Sequence, residues 1–225
     1  MPSVSHFWGL ILGTALALLP IINPLVSAPT FLAITEGDSE PRRREQARKG
    51  CLYMVVILVS FLIGGTFLMN FFGISIPGLR IAGGIVLVGI GLRMLGPQKD
   101  GGYSDEAERE AARRKVDISF SPLAMPMLSG PGSIAVTIGF TSLASHWLDY
   151  VAIIVGILVV AGISYVVLRL AGRVEGLIGP VGISAMTKIM GFLIMCIGVQ
   201  FVVNGILAIA TDPELLRGIK AVLQH

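Results

Sequence analysis

The sequence of 225 residues predicts an all-α membrane protein whose six transmembrane helices form two inverted repeats of three helices each. Hydrophobic residues make up 54% of the chain and charged residues 14%, and the mean hydropathy is +0.82. Since a soluble domain carries about 25% charged residues, this composition indicates a membrane protein. Prolines also interrupt the first apolar stretch of each half at matching places, where an unbroken helix cannot form.

Six apolar stretches reach the roughly 17 to 20 residues that a spanning helix needs. They cover about residues 7–35, 51–69, 79–96, 118–145, 150–168 and 189–210. None contains Asp, Glu or His; the nearest, His146 and Asp149, lie between the fourth and fifth stretches. The first stretch is predicted to be a span and not a cleaved signal peptide, because no Lys or Arg precedes it.

The distribution of Lys and Arg predicts the orientation. The loops after the first, third and fifth spans lie on one side and hold 14 of the 17 basic residues. By the positive-inside rule this side is cytoplasmic, so both termini should be periplasmic in a bacterial inner membrane. Nucleic acid is not an expected partner, because the basic residues flank spans and form no separate basic module.

Two halves of similar organisation are joined by a polar segment. Residues 1–96 are the first three-helix repeat, 97–117 a cytoplasmic linker, and 118–225 the second repeat with a periplasmic tail. Asn23-Pro24 aligns with Gly130-Pro131 at a shift of 107, and Arg80 with Lys188 at a shift of 108. Because three spans are an odd number, the second repeat must enter the membrane from the opposite face, as in carriers with alternating access.

The two proline-broken stretches predict a solute site. Broken backbone persists in a bilayer only where protein or a water-filled cavity surrounds it, and interrupted helices in matching positions indicate a binding site near the midplane. Helix N-termini there can hold a carboxylate, while free carbonyls can hold a cation or an ammonium. The candidate ligands are Asn23, Pro24, Ser27, Thr30, Gly130, Pro131, Gly132, Ser133 and Thr137. For any single hydroxyl, hydrogen bonding between helices is an equal alternative.

Other polar residues accompany this site. Ser129, Ser133, Thr137 and Thr141 are spaced four apart and share one helix face, as do Gln200 and Asn204 in the sixth span. Arg80 and Lys188 each lie at the N-terminus of a predicted helix, so they are candidate gates or carboxylate contacts at opposite ends of the pathway. Snorkelling to the headgroups is the alternative for both.

Several collinear motifs resemble the MarC family of inner-membrane proteins. They are Asn23-Pro24-Leu25, residues 72–84, Pro122-Leu-Ala-Met-Pro126, Gly130-Pro131-Gly132 and residues 190–206, so the similarity extends over nearly the whole chain. The resemblance implies six spans, periplasmic termini and a relationship to archaeal carriers of small neutral amino acids such as glycine and alanine. Many relatives have Asp-Pro where this chain has Asn23-Pro24, so an intramembrane carboxylate is absent here.

The expected function is secondary transport of a small polar or zwitterionic solute, in particular small neutral amino acids. No cofactor is expected. Sodium held by carbonyls and hydroxyls, or uncoupled exchange, fits better than a proton relay, because the spans contain no acidic residue or His. No cluster of nucleophile, base and acid suggests an enzyme. The alternative is a non-transporting scaffold or stress-sensing protein. The expected partners are the bilayer and the solute, with a homo-oligomer left open.

Overall fold

A computed structural model describes residues 4–96 and 117–212, and within these ranges the regular structure is helical throughout. The predicted linker, except Asp117, and the C-terminal tail from residue 213 lie outside the described residues. The helices are α1 (Val4–Ile22), α2 (Pro24–Ile34), α3 (Glu40–Phe72), α4 (Ile76–Leu95), α5 (Ser119–Leu128), α6 (Pro131–Gly139), α7 (Trp147–Arg169) and α8 (Ala171–Ala210). A short 3₁₀ turn, Phe140–Leu143, extends α6.

Helices long enough to cross a membrane confirm the all-α membrane fold. Among the described residues five helices, namely α1, α3, α4, α7 and α8, are long and apolar enough to span. A sixth span results if α5 and α6, bent by 62° at their junction, are counted together. α2 is a shorter apolar helix that follows α1 directly, so α1 and α2 together cover the first predicted stretch.

The turn between α3 and α4 is encoded by three consecutive local signals. Gly73 ends α3 in the left-handed region (φ 66°). This conformation has little steric cost for glycine, because glycine has no Cβ. The Ser75 hydroxyl then accepts a hydrogen bond from the Gly78 backbone N–H at 3.1 Å and so caps α4. Pro77 occupies the first turn of α4, where no backbone donor is needed. The two spans are thereby joined by a connection of only three residues.

The sixth span differs from its prediction, which placed it at 189–210. α8 begins at Ala171 and contains one non-helical residue, Gly179 (φ 69°, ψ 170°), immediately before Pro180. Glycine accepts this positive φ, and proline is well suited to restart a helix. The prediction missed residues 171–188 because glycine and Lys188 interrupt their apolar pattern. Lys188 therefore lies within a helix and does not precede one.

Glycines bring α4 and α8 into direct backbone contact. A Cβ on Gly84 would lie 2.5 Å from the carbonyl oxygen of Gly198, and a Cβ on Gly91 would lie 2.6 Å from that of Gly191. Because the contact residues advance along α4 as they retreat along α8, the two helices are antiparallel. Such close approach is typical of membrane helices with small residues at the crossing.

This pair contacts the rest of the bundle mainly through α2 and α6. α1 packs on α7, α3 packs on α5 and α7, α2 packs on α7 and α8, and α6 packs on α3 and α4. Glycine again permits close contact: a Cβ on Gly50 of α3 would meet Leu123 of α5 at 2.4 Å. A Cβ on Gly156 of α7 would meet Thr14 of α1 at 2.7 Å. One continuous apolar core with fully buried Phe31 joins the helices.

The bundle has two distinct ends. At the basic face, Glu40, Arg44, Arg169 and Arg173 border a surface cleft of about 450 Å³ between the start of α3 and the junction of α7 and α8. At the opposite face the start of α1 meets the start of α7. The spans thus run alternately between the basic face and the opposite face.

Candidate functional site

The first interruption lies between α1 and α2 at Asn23. Asn23 adopts a left-handed conformation (φ 43°, ψ 64°), which asparagine tolerates better than most residues, and α2 restarts at Pro24. The side-chain Oδ1 of Asn23 accepts a hydrogen bond from the Val26 N–H at 3.4 Å. The side chain is buried, and its Nδ2 has no hydrogen-bond partner among the described residues. An amide donor is therefore available inside the bundle.

The second interruption is the irregular α5 and its junction with α6. Ser121 and Met125 have extended backbone angles, and each precedes a proline in a cis peptide bond. The backbone hydrogen bonds reach back five residues, as from Ser129 N–H to the Ala124 carbonyl at 2.8 Å. Ser129 ends the segment fully buried, and its hydroxyl lacks a partner in the part of the chain that the structure describes.

The two interruptions lie next to each other in the interior. A Cβ built on Gly132 of α6 would be 3.5 Å from Ile21 of α1 and 2.8 Å from Leu87 of α4. Ile21 is two residues before Asn23, and Gly132 is three residues after Ser129. The ends of both broken segments therefore meet against the middle of α4.

The predicted ligands are mostly, but not all, in the interior. Buried are Asn23, Pro24, Thr30, Gly132, Ser133 and Thr137; Ser27 and Gly130 are half-buried, and Pro131 is exposed. The Ser133 hydroxyl donates to the Gly130 carbonyl at 2.9 Å, and the Thr137 hydroxyl donates to the Ser133 carbonyl at 2.7 Å. Each hydroxyl oxygen keeps a lone pair and can act only as an acceptor while these bonds persist. The interior site is thus polar but uncharged.

Ser129 is a site residue that the predicted ligand set omitted. The four-residue spacing of Ser129 with Ser133, Thr137 and Thr141 did predict a shared face, and all four are buried. In the other three the hydroxyl donates to the backbone of the same turn, whereas the Ser129 hydroxyl does not. Its position as the last residue before Gly130-Pro131 was the available signal.

Arginines contact the far end of each broken segment. At the opposite face the Arg80 guanidinium donates to the hydroxyl of Ser142, after α6. At the basic face Arg43 donates from Nε to the Thr35 hydroxyl at 3.1 Å and from Nη2 to the Thr35 carbonyl at 3.2 Å. Thr35 follows α2, and Ser142 lies 107 residues further on, which is the shift that aligns the two breaks.

Lys188, the predicted counterpart of Arg80, is exposed on α8. Arg43 makes the contact that corresponds to the one made by Arg80. Arg43 could not be selected from the sequence, because it lies in a run of three arginines that all contribute to the orientation signal.

Asp149 organises the opposite face. Its side chain is buried, and Oδ2 accepts hydrogen bonds from the backbone N–H groups of Ser145 at 2.8 Å and His146 at 3.0 Å. His6 of α1 approaches Oδ1 with its Nε2 at 3.4 Å. The histidines are far apart in the sequence and were predicted to lie outside the spans without forming a cluster. In the fold, His6 lies beside the Asp149 carboxylate that caps α7. This arrangement joins α1 to α7.

Gln200 and Asn204 lie outside the interior. Both are exposed on α8, and the Gln200 Nε2 donates to the Asn204 Oδ1 at 2.8 Å. Among the described residues no group of three or more His, Cys, Asp or Glu side chains is placed to hold a metal ion.

The apolar spanning helices and the paired interruptions define a multi-pass integral membrane protein. The chain belongs to the MarC family: the sequence profile of the MarC family integral membrane proteins matches residues 8–210. This confirms the resemblance seen in the motifs.

Individual relatives agree with this assignment. The chain is 41% identical over 202 residues to the inner membrane protein MarC of Salmonella typhimurium. The aligned region covers 85% of this chain and 91% of the relative. The MarC proteins of Escherichia coli O1:K1 and Citrobacter koseri are 40% and 39% identical over the same shares. No solved structure matches the chain. The names of these relatives support an inner-membrane protein.

Proposed function

We propose that the protein is a secondary transporter of small neutral amino acids across the bacterial inner membrane. The observation that carries the proposal is the meeting of two interrupted helices in the interior, where the Asn23 Nδ2 and the Ser129 hydroxyl have no partner among the described residues. Broken helices in matching positions are typical of carrier binding sites. In this proposal the basic face is cytoplasmic and both termini are periplasmic, in accordance with the positive-inside rule.

The α4–α8 contact supports two inverted repeats as the framework of this carrier. A shift of 107 aligns Gly84 with Gly191 and Gly91 with Gly198. Gly84 contacts Gly198, which is the counterpart of Gly91. Gly91 in turn contacts Gly191, which is the counterpart of Gly84. A two-fold axis in the membrane plane would produce this reciprocal arrangement. The glycines favour a shift of 107 here over the 108 derived from Arg80 and Lys188.

The outer helices support the same axis. A shift of 106 aligns Gly50 of α3 with Gly156 of α7. Gly50 contacts α5 and Gly156 contacts α1, which are the corresponding first segments of the opposite halves. The largest helix contacts correspond when α1 to α4 are exchanged for α5 to α8, whereas the smaller α1–α8 contact has no counterpart of that size between α5 and α4. A site on this axis would experience equivalent movements of both halves, as alternating access requires.

A zwitterion fits the polar groups at the breaks. The Asn23 Nδ2 can donate to a carboxylate, which the dipole at the N-terminus of α2 also favours, and the oxygens of Ser133 and Thr137 can accept from an ammonium group. A buried donor without a partner costs roughly 1–3 kcal/mol, which a bound carboxylate would relieve. The site carries no formal charge, so a solute with zero net charge enters without leaving an unpaired ion in the membrane.

Arg43 and Arg80 are the proposed gates of this pathway. Arg43 holds the end of α2 at the basic face, and Arg80 holds the end of α6 at the opposite face. Both contacts are present together in the structure, so in this proposal the structure represents a state in which both gates are closed. A hydrogen bond to a charged group is worth about 1.5–3 kcal/mol, and less where solvent screens it, so either contact can open at modest cost.

Ligand-dependent thermal stability of the detergent-purified protein tests the site. A ligand at about 100 times its Kd stabilises the folded state by about 2.7 kcal/mol. We expect glycine or alanine, with sodium or potassium, to raise the melting temperature of the wild type. The increase should be lost in Asn23→Ala and Ser129→Ala. Thr14→Val is the matched control, because Thr14 is also buried and its hydroxyl has no partner among the described residues, but it lies on α1 nine residues before Asn23, about 14 Å along the helix.

Two results would contradict the proposed site. One is an unchanged melting temperature across the amino acids in both salts, which would favour the scaffold or stress-sensing alternative. The other is a ligand response that survives in both Asn23→Ala and Ser129→Ala, which would locate binding elsewhere.

A further inference from the structure

Polar side chains occupy the outer surface of α8. Cys196, Gln200 and Asn204 are four residues apart and therefore share one helix face, and all three are exposed. We name these three residues the α8 stripe. The opposite side of α8 carries Gly198, which packs against α4. The stripe therefore faces away from the bundle.

The stripe lies deep in the hydrocarbon region. Gln200 is ten residues before the end of α8 at Ala210, which corresponds to about 15 Å along a helix. This distance is half of the roughly 30 Å hydrocarbon thickness. An amide in that position cannot bond to water, so its unsatisfied groups favour a protein partner.

The hydrogen bond between the two amides leaves most of their capacity unused. Gln200 and Asn204 together have four N–H donors and two carbonyl oxygens. One donor and one oxygen are used in their mutual bond, and within residues 4–96 and 117–212 no other hydrogen bond to these side chains is present. Three donors and one oxygen remain on a lipid-facing surface. A surface with both donors and acceptors is complementary to a second copy of itself.

We propose that two copies of this chain associate through their α8 stripes, an interaction independent of the proposed transport. Copies inserted with the same orientation are related by a two-fold axis along the membrane normal, so each residue lies at the same depth as its counterpart. Gln200 then bonds to the amides of the second copy, and Cys196 lies one turn away beside its own counterpart. The exposed side chains of Phe192, Val199 and Val203 flank the stripe and supply apolar contact.

Cysteine cross-linking in native membranes tests this interface directly. Among the described cysteines Cys196 is exposed and Cys51 is buried, so Cys196 is the accessible reporter. Copper phenanthroline with dissolved oxygen, or a short bismaleimide, should convert the 23.8 kDa chain into a species of twice that mass. Cys196→Ser should abolish this product. A cysteine at Val159, an exposed position on α7, added to Cys196→Ser is the control and should not cross-link.

Replacement of the amides tests their role separately. Gln200→Leu with Asn204→Leu keeps the surface compatible with lipid but removes the hydrogen bonds. We expect the purified double variant to be monomeric by light scattering while the wild type is dimeric, with each monomer equally helical by circular dichroism. A monomeric wild type without a cross-link from either reagent would overturn the proposal. Equal cross-linking through Val159→Cys, or a double variant that remains dimeric, would also overturn it.

Discussion

Replacement of Gly84 by alanine should separate α4 from α8. The added Cβ would lie 2.5 Å from the Gly198 carbonyl oxygen and 2.9 Å from the Val202 backbone nitrogen. Ordinary contact begins at 3.4 Å, so α4 and α8 must move apart locally by about 0.9 Å, the difference between 3.4 and 2.5 Å. Two of the three nearest atoms are backbone atoms, which no side-chain rotation can remove, and the third is the Val202 Cγ2 at 2.7 Å.

The expected cost follows from measurements on overpacked cores. Inserting one methyl group into a well-packed site typically costs about 1–3 kcal/mol. For a chain of this size each kcal/mol lowers the melting temperature by about 2–4 °C, so Gly84→Ala should melt about 2–12 °C below the wild type. Thermal unfolding in detergent, followed by circular dichroism, measures this difference.

Gly89→Ala is the matched control on the same helix. A Cβ at Gly89 would have no atom within 4 Å, so alanine should be neutral or stabilise the helix by up to about 1 kcal/mol. A double variant with Gly84→Ala and Gly198→Ala should lose less stability than the sum of the single variants, since one separation of the helices accommodates both methyl groups. Equal melting temperatures for Gly84→Ala and Gly89→Ala would refute the close crossing.

Three further predictions concern the ends of the bundle. Arg80→Gln should increase amide hydrogen exchange at the end of α6 only, and Arg43→Gln at the end of α2 only; equal effects at both ends would contradict separate gates. Asp149→Ala should lower the melting temperature, because two backbone donors lose their acceptor. Hydrogen bonds from the Ser119 hydroxyl and N–H hold the pKa of Asp117 below its ordinary 3.8. The ionised carboxylate therefore stabilises the fold above the ordinary pKa, and this stabilisation is lost as the pH falls through the lower pKa of the folded protein. The melting temperature should consequently fall less between about pH 6 and pH 3 in Asp117→Asn than in the wild type.

Regular features of this fold could be predicted from the sequence because each rests on a local rule. Apolar length predicts the spans, and proline predicts interruptions. At Asn23-Pro24, α1 ends at Ile22 and α2 begins at Pro24. The extension of α8 to Ala171 was missed because Gly179-Pro180 resembles a loop, although it joins two helical segments here.

Residues whose importance depends on distant partners could not be selected in this way. Arg43 resembles Arg42 and Arg44 in sequence, and only the folded position of Thr35 distinguishes it. Gln200 and Asn204 were expected near the interior because helical periodicity predicts a shared face but not the direction of that face. The glycines of α4 instead determine which side of α8 is buried.

Uptake of radiolabelled alanine or glycine by proteoliposomes tests the central claim most directly. The account predicts accumulation or exchange above empty liposomes by the wild type and by Thr14→Val, and loss of uptake in Asn23→Ala with its fold retained. Uptake at the level of empty liposomes by the folded wild type, with either sodium or potassium gradients, would contradict the account. Undiminished uptake by Asn23→Ala would contradict the proposed site.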